Sequence, residues 1–424
     1  MDEVFTNSVR LDPDLCKGCI NCLKRCPTQA IRVRGGKAHI TKDFCIDCGE
    51  CIRVCPHHAK KAFYEPLDVI NNYKYTVALP APSFYAQFNN LDDTNIVLRA
   101  LKRMGFDDVY EVSAAAELVS ELTRDYIEKH RENAPFISVA CPSVVRLIQV
   151  KFPNLIEHLL KVNSPVEIAA SEAKRIAMEK TGLSAEDIGV IFISPCPAKV
   201  TSVKNPLGYE KSEIDAVIAI KEVYPKILPL MLESVDDNTD FSCSGKIGLS
   251  WGASGGEASG LLIDNYLAAD GIENVIKVLE DLEDQKISNL EFIELNACSG
   301  GCVGGVLQVE NPYVAKSKLK QLRKYMPVSK SHIGNAIPCN SYITDDIEYK
   351  PVFNLGKDFA DGLEKMEQME EIYQRLPGLD CGSCGAPTCK ALAEDVVRGI
   401  AKEKDCVHLL REYIHKMTNE LGDI

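Results

Sequence analysis

A doubled cysteine run near the start of the chain restricts most strongly what it can become. C-K-G-C-I-N-C-L-K-R-C-P supplies Cys16, Cys19, Cys22 and Cys26, and C-I-D-C-G-E-C-I-R-V-C-P repeats the spacing with Cys45, Cys48, Cys51 and Cys55. A loop this tight aims three thiolates at three corners of a small cube, and Pro27 and Pro56 stop the chain folding back over the fourth. The chain carries 18 cysteines, and its opening M-D-E-V-F-T-N-S-V-R-L-D has neither the basic start nor the apolar stretch of an export signal. Disulfides are not expected in a reducing compartment, so metal ligation is the default. Zinc is the plain alternative, but it usually takes two C-x-x-C pairs rather than a repeated four-cysteine run.

The run resembles that of two-cluster bacterial ferredoxins, in which each fourth cysteine serves the other cluster. The resemblance implies one 4Fe-4S cluster on Cys16, Cys19, Cys22 and Cys55 and a second on Cys45, Cys48, Cys51 and Cys26. Electrons must then enter or leave the protein. A chain of 424 residues calls for two or three domains. A net charge of -13 argues against nucleic acid, whose phosphates need a basic surface. No run approaches the roughly 18 apolar residues of a membrane span. The expectation is a soluble, cytoplasmic protein with no nucleic-acid or membrane partner.

From residue 73 short apolar runs alternate with amphipathic ones, the α/β pattern. Strands are expected at 74–79, 108–112, 135–140, 189–194, 215–220 and 291–295. A helix is expected from Ser164 as N-cap through Pro165, with Glu167 closing a capping box and Gly182 as the stop. Ala81-Pro82-Ser83 follows the first strand, Cys141-Pro142 the third and Pro195-Cys196-Pro197 the fourth. Cys298 and Cys302 follow the last, in E-L-N-A-C-S-G-G-C-V-G-G. Ligand sites in open α/β sheets gather beyond the carboxyl ends of strands, so these four cysteines can converge. Any one alone would more simply be a core residue.

V-A-C-P-S-V, S-P-C-P-A-K and E-L-N-A-C-S-G-G-C-V-G-G resemble, in order and spacing, the three signature motifs of the FeFe-hydrogenases. The resemblance runs from residue 75 to about 325. It implies an H-cluster: a 4Fe-4S cubane sharing one thiolate with a diiron unit that carries carbon monoxide, cyanide and a bridging azadithiolate. By motif position Cys141, Cys196 and Cys298 are cubane ligands, and Cys302 bridges to the diiron unit. Lys199 and Ser83 match residues that contact iron-bound cyanide, and an ammonium or hydroxyl is the donor a cyanide nitrogen accepts from. S-W-G-A-S-G-G-E-A-S-G (250–260) resembles a glycine-rich flank of that site, with Trp251 at an aromatic position.

The chain departs from the family at the proton relay. Ala140 stands where a relay cysteine is usual, Leu160 where a serine is, and Thr123 and Tyr126 where two glutamates are. Positioned general acids are worth about 10² to 10⁴ in rate, so slow turnover follows unless Asp125, Glu117 or water offers another route. Ser194 and Asn296 replace methionines, Val144 a tryptophan and Ser202 a glutamate, and the last motif ends G-G-V-L-Q. The pocket is tuned differently, with its cluster ligands kept. Cys243 and Cys339 are left as free thiols.

Near the end, a helix through G-L-E-K-M-E-Q-M-E-E-I-Y-Q-R leads to Cys381, Cys384, Cys389 and Cys406, spaced C-x2-C-x4-C-x16-C. Cys389 is placed in the first turn of a helix whose apolar face is Leu392, Val396 and Ile400. The stretch resembles a small single-cluster 4Fe-4S domain, and zinc stays open as its alternative. The fold class is therefore multidomain α/β. A two-cluster ferredoxin-like domain (1–72) precedes an FeFe-hydrogenase-like core (73–335), a linker and connecting helix (336–368), and a C-terminal helical iron–sulfur domain (369–424). The whole resembles the sensory FeFe-hydrogenases, in particular their group D branch. It implies slow conversion or binding of dihydrogen to protons and electrons, three 4Fe-4S clusters beside the H-cluster, dedicated maturation proteins, an anaerobic cytoplasm and an unidentified redox or signalling partner. Two rivals stay open: a catalytic hydrogenase with another proton route, and an iron–sulfur electron-transfer or scaffold protein lacking the diiron unit.

Overall fold

The computed structural model describes residues 5–333, 337–338, 340–352 and 354–422. Cys339 lies outside them. Contacts group the chain into two bodies, and the grouping does not follow sequence blocks. One comprises Val9–Cys45, Glu50–Ala62 and Lys350–Ile424, the other Met1–Ser8, Ile46–Gly49 and Phe63–Tyr349.

In the first body, β1 (Val9–Leu11) pairs antiparallel with β4 (Lys60–Ala62), and β2 (Ile31–Arg34) with β3 (Lys37–Ile40). The β2–β3 turn is Gly35-Gly36, at φ 56° and 72°, which a two-residue hairpin loop needs to match strand twist. The chain's other end supplies three helices to the same body, Phe359–Arg375, Cys389–Val397 and Val407–Gly422. Met369, Ile372, Leu376, Ala386 and Leu392 form their core. Thr388 caps the middle helix, its hydroxyl accepting from the Ala391 N–H at 3.0 Å. That helix ends at Val397, so the expected apolar face is cut short: Leu392 is buried, while Ile400 lies beyond the end and is 61% exposed.

The second body holds β5 (Tyr75–Pro80), β6 (Asp108–Val109), β7 (Phe136–Ile137), β8 (Ile188–Ser194), β9 (Ala216–Ala219), β10 (Tyr266–Asp270) and β11 (Phe292–Asn296). They form two parallel sheets, ordered β6-β5-β8-β9 and β10-β11-β7. Every residue of β8 is buried, which explains an apolar run without alternation, since parallel sheets are covered on both faces. Two expected strands shrink. The run 108–112 stops after Val109 because Val112 already begins the helix Val112–Lys129. The run 135–140 stops after Ile137, where the Ser138 hydroxyl turns to a buried carboxylate. β10 was not anticipated, since Y-L-A-A-D carries little apolar bulk and lies at a sheet edge.

The helix Pro165–Thr181 starts after Ser164 and stops at Gly182, φ 70°, as the sequence indicates. Its capping box does not form. Glu167 is buried and accepts from the Ser212 hydroxyl at 2.9 Å, while Ser164 Oγ accepts from Lys199 Nζ at 3.3 Å. A desolvated carboxylate takes the strongest donors in reach, and tertiary donors outcompete the helix end. Among the described residues no helix is long and apolar enough to cross a membrane.

Leu79 is fully buried in β5, at the centre of the larger sheet. Leu79→Ala should cost about 2–5 kcal/mol, read as a lowered urea midpoint in the fluorescence of Trp251, the chain's one tryptophan.

Candidate metal centre

The carboxyl ends of β5, β7, β8 and β11 open onto one crevice. Cys141 and Cys196 are the N-cap residues of the helices Pro142–Lys151 and Pro197–Lys204, each with proline at the first helical position. Cys298 follows β11, and Cys302 opens the turn Cys302–Gly304. All four, with Lys199, line one cavity. Burial pushes the Cys196 thiol up to about 11, with Cys141 adding to it. Burial raises Cys302 too, reinforced by Cys196 and Cys141. Buried thiols this reluctant to ionise fit a site where metal charge offsets the thiolates, because the thiolate is the ligand. Among the described residues no three His, Cys, Asp or Glu side chains close on a single-ion site. The cysteines instead surround a space suited to a larger inorganic group.

The glycines of the last motif serve chain packing. A Cβ on Gly305 would lie 2.2 Å from Pro195 O, and one on Gly301, at φ 87°, 2.3 Å from Ser254 N. Their backbones close on neighbouring backbone, which fixes where Cys302 stands.

Lys199 lines this cavity and a smaller one lined also by Ser164, Ser202 and Tyr209. Ser83 is buried in the wall behind Pro82, which does line the crevice, and its hydroxyl accepts from Gln308 Nε2 at 2.7 Å. Gln308 also donates to Cys302 O at 3.1 Å, so the glutamine of the altered G-G-V-L-Q end braces both motifs. Its Oε1 is buried without a hydrogen-bond partner. Ser194 exchanges hydrogen bonds with the Cys196 backbone, and Val144 is core. Trp251 lines the crevice and donates to Ser120 Oγ at 3.1 Å. Cys48, expected in the second ferredoxin-like set, lines it as well.

Neither carboxylate suggested for a substitute proton route reaches the crevice. Glu117 is buried and accepts from the N–H groups of Gly245, Gly248, Lys330 and Ser331 and from the Ser329 hydroxyl, which anchors two loops. Asp125 pairs at the surface with Lys129. The helix that carries both turns Val112 and Ala116 to the crevice, so Thr123 and Tyr126 are too far along it to line the site. Leu160 is core.

Two other carboxyl groups do line it: Glu257 and Glu294. Burial raises Glu257 well above the usual carboxyl range, and Glu294 adds to this against the opposing Ser138 hydroxyl and Lys199. Burial raises Glu294 as well, opposed by the N–H groups of Ala258 and Gly255 and the Asn296 amide. Two carboxyl groups facing each other in a dry site retain a proton, since both charged forms together are costly. Ser138 Oγ donates to Glu257 at 2.7 Å and accepts from the Ala140 N–H at 3.1 Å. A proton-holding group thus stands one hydroxyl behind Ala140. Both glutamates lie in motifs read for other residues, Glu257 in S-G-G-E-A-S-G and Glu294 in E-L-N-A-C. An acid within a glycine-rich or apolar stretch was the available signal.

In the first body, burial raises the Cys22 thiol, which also feels the thiols of Cys19, Cys55 and Cys16 against the Lys60 ammonium. Those four thiols make up the first expected ligand set. Of the second set, Cys26 accepts from the Ala30 N–H at 3.2 Å. Cys381, Cys384, Cys389 and Cys406 line one small cavity together with His408. Hydrogen bonds from Ser383, outweighing burial, hold Cys381 at about 7, with His408 Nε2 at 3.8 Å. Cys243 is exposed and apart from every set.

Three family models match the chain. "Iron only hydrogenase large subunit, C-terminal domain" covers residues 74–262 and 253–306, "4Fe-4S dicluster domain" 8–56, and "Putative Fe-S cluster" 376–408. Iron hydrogenase 1 of Clostridium pasteurianum is 25% identical over 332 residues, 62% of this chain and 57% of that protein. The periplasmic [Fe] hydrogenase large subunit of Nitratidesulfovibrio vulgaris is 27% identical over 371 residues, 73% of this chain and 88% of that one. "Probable cytosolic Fe-S cluster assembly factor CG17683" of Drosophila melanogaster is 21% identical over 333 residues, 65% of this chain and 66% of that one. A variant of [FeFe]-hydrogenase HydA1 from Chlamydomonas reinhardtii aligns with a TM-score of 0.47 at 16% identity, over 60% of this chain and 86% of that one.

Glu257 and Glu294 keep their proton to higher pH in the fold than unfolded. The stability they contribute is complete at acid pH and is lost as pH rises through their raised range. Glu257→Gln, which has no proton to lose, should flatten the alkaline fall of the denaturation midpoint. An alkaline fall as steep as that of the parent protein would count against the pair.

Proposed function

Because this chain belongs to the iron-only hydrogenase large-subunit family, we propose that its crevice holds an H-cluster and converts dihydrogen slowly and reversibly to protons and electrons. The observation that carries this is the meeting of Cys141, Cys196, Cys298, Cys302 and Lys199 in one crevice with a buried carboxyl pair behind Ala140. When bound, the cluster supplies the binding and cleavage of dihydrogen and the exchange of electrons. The chain's own residues do the rest. Lys199 presents an ammonium to cyanide, and Gln308 holds the Ser83 hydroxyl in the wall. Val112, Ala116 and Phe192 give the crevice apolar walls that limit water.

In this reading Glu257, which itself lines the crevice, is the proton-holding side chain that serves the site in place of a thiol at position 140. A catalytic hydrogenase with its own proton route is therefore favoured over an inert fold. The sensory role, on the resemblance to the group D branch, makes the redox state of the clusters the output, read by a protein partner in an anaerobic cytoplasm. Maturation proteins would deliver the diiron unit. A second reading, an iron–sulfur scaffold without that unit, draws on the likeness to cytosolic assembly factors. It gives Lys199 no part beyond its hydrogen bond to Ser164 and its charge beside Glu257.

Infrared spectroscopy of the cofactor-matured protein separates them. Carbon monoxide and cyanide bands are expected, and their absence at full cubane loading would sink the hydrogenase reading.

Viologen-linked hydrogen evolution tests the proton route. Glu257→Gln should lower the rate by about 10²-fold or more, the worth of a positioned general acid. Ala140→Cys alone should change it little, because Glu257 already holds a proton in the crevice and the usual relay positions beyond the thiol are Leu160, Thr123 and Tyr126. A full rescue by Ala140→Cys with Glu257→Gln in place would refute this route.

A further inference from the structure

The two ends of the chain meet within the first body at their metal-ligating loops. Val33 N–H, in β2, donates to Gly385 O at 2.9 Å. A Cβ on Gly385, at φ 82°, would lie 1.9 Å from Val33 O, so only glycine permits this approach. Arg32 Nε donates to both Asp395 oxygens, at 2.7 and 3.0 Å, and Arg34 Nη2 adds a third bond at 3.0 Å. The Asp395 side chain is 4% exposed, so the pair of guanidiniums offsets a desolvated charge. Arg34 Nη1 donates to Cys384 O at 2.5 Å, and Lys24 Nζ donates to Asp380 O and Pro387 O at 2.5 and 3.0 Å.

The position of these contacts is informative. Gly382, between Cys381 and Cys384, packs on Leu23, Lys24 and Ile20, with a Cβ there only 3.3 Å from Leu23 Cδ2. Ile20 follows Cys19 and Leu23 follows Cys22, both of the first ferredoxin-like set. Two cysteine cradles therefore touch through the residues next to their ligands. Electron tunnelling falls exponentially with distance, and docking that served stability alone could have used any other surface of the two domains.

We infer that the C-terminal domain is an electron port wired directly to the first ferredoxin-like cluster, with Asp395 and Gly385 as the residues that set the separation. One electron leaves a reduced cluster in one cradle and reduces the oxidised cluster in the other, with no proton or further reactant. Arg34, whose Nη1 donates to Cys384 O, sets a positive charge beside the C-terminal cradle and favours the more negative, reduced form of its cluster. The inference rests on the iron–sulfur assignment of both sets and not on the diiron unit, so absent infrared bands would leave it standing.

The test is electron paramagnetic resonance of the dithionite-reduced, full-length protein with its clusters loaded. The C-terminal cluster should show splitting and fast relaxation from its neighbour. Gly385→Ala, and separately Arg32→Gln with Arg34→Gln, should lose that interaction at unchanged iron content, leaving the signal of the ferredoxin-like pair. Arg34→Gln alone should lower the potential of the C-terminal cluster in a redox titration. The proposal is overturned if the C-terminal signal is that of an isolated cluster in the unaltered protein. It is equally overturned if the interaction persists unchanged in both fully loaded variants.

Discussion

Everything at the central site depends on bringing Cys141, Cys196, Cys298 and Cys302 to one crevice. Desolvation in the crevice raises Cys196 and Cys302, and the neighbouring thiols add to it. Such a cluster of groups is unfavourable in the bare protein and becomes favourable when iron supplies the compensating charge. The two parallel sheets make the arrangement possible, because the carboxyl ends of β7, β8 and β11 open on one space while their bodies stay buried. Backbone contact between Gly305 and Pro195 then fixes the fourth thiol against the second.

The same dryness explains the carboxyl pair. Glu257 and Glu294 would ionise readily in water, but here they face each other with Ser138 and Asn296 as their side-chain donors. A proton retained so close to the cluster cysteines gives the proposed reaction an acid at a place where the family's usual thiol is missing. Slow turnover and a working proton route are compatible: the hydroxyl of Ser138 lies between the pair and Ala140, and no second carboxyl wire continues along the helix Val112–Lys129.

The first body raises a different design question, since it joins the two ends of a long chain. Asp395 between Arg32 and Arg34 is a costly arrangement unless it specifies one orientation. Gly385 and Gly382 remove the side chains that would hold the cradles apart. An added cluster domain becomes useful to a redox protein only when its position is fixed, and these contacts fix it.

The sequence by itself determined the inventory. Cysteine spacing grouped the thiols into expected ligand sets, because cluster geometry demands closely spaced thiolates and leaves a regular trace in the chain. Hydrophobic runs located the long strands β5, β8 and β11, and Pro165 and Gly182 bounded their helix, since these signals are local. Tertiary structure alone decided what burial and distant donors decide. It shortened the strands at 108 and 136, gave Glu167 to Ser212 rather than to its own helix, and turned Glu117 into a loop anchor. It also brought Glu257 and Glu294 together across 37 positions of chain. No local pattern records which carboxylates will share a dry crevice, because that depends on what the fold removes from water around them.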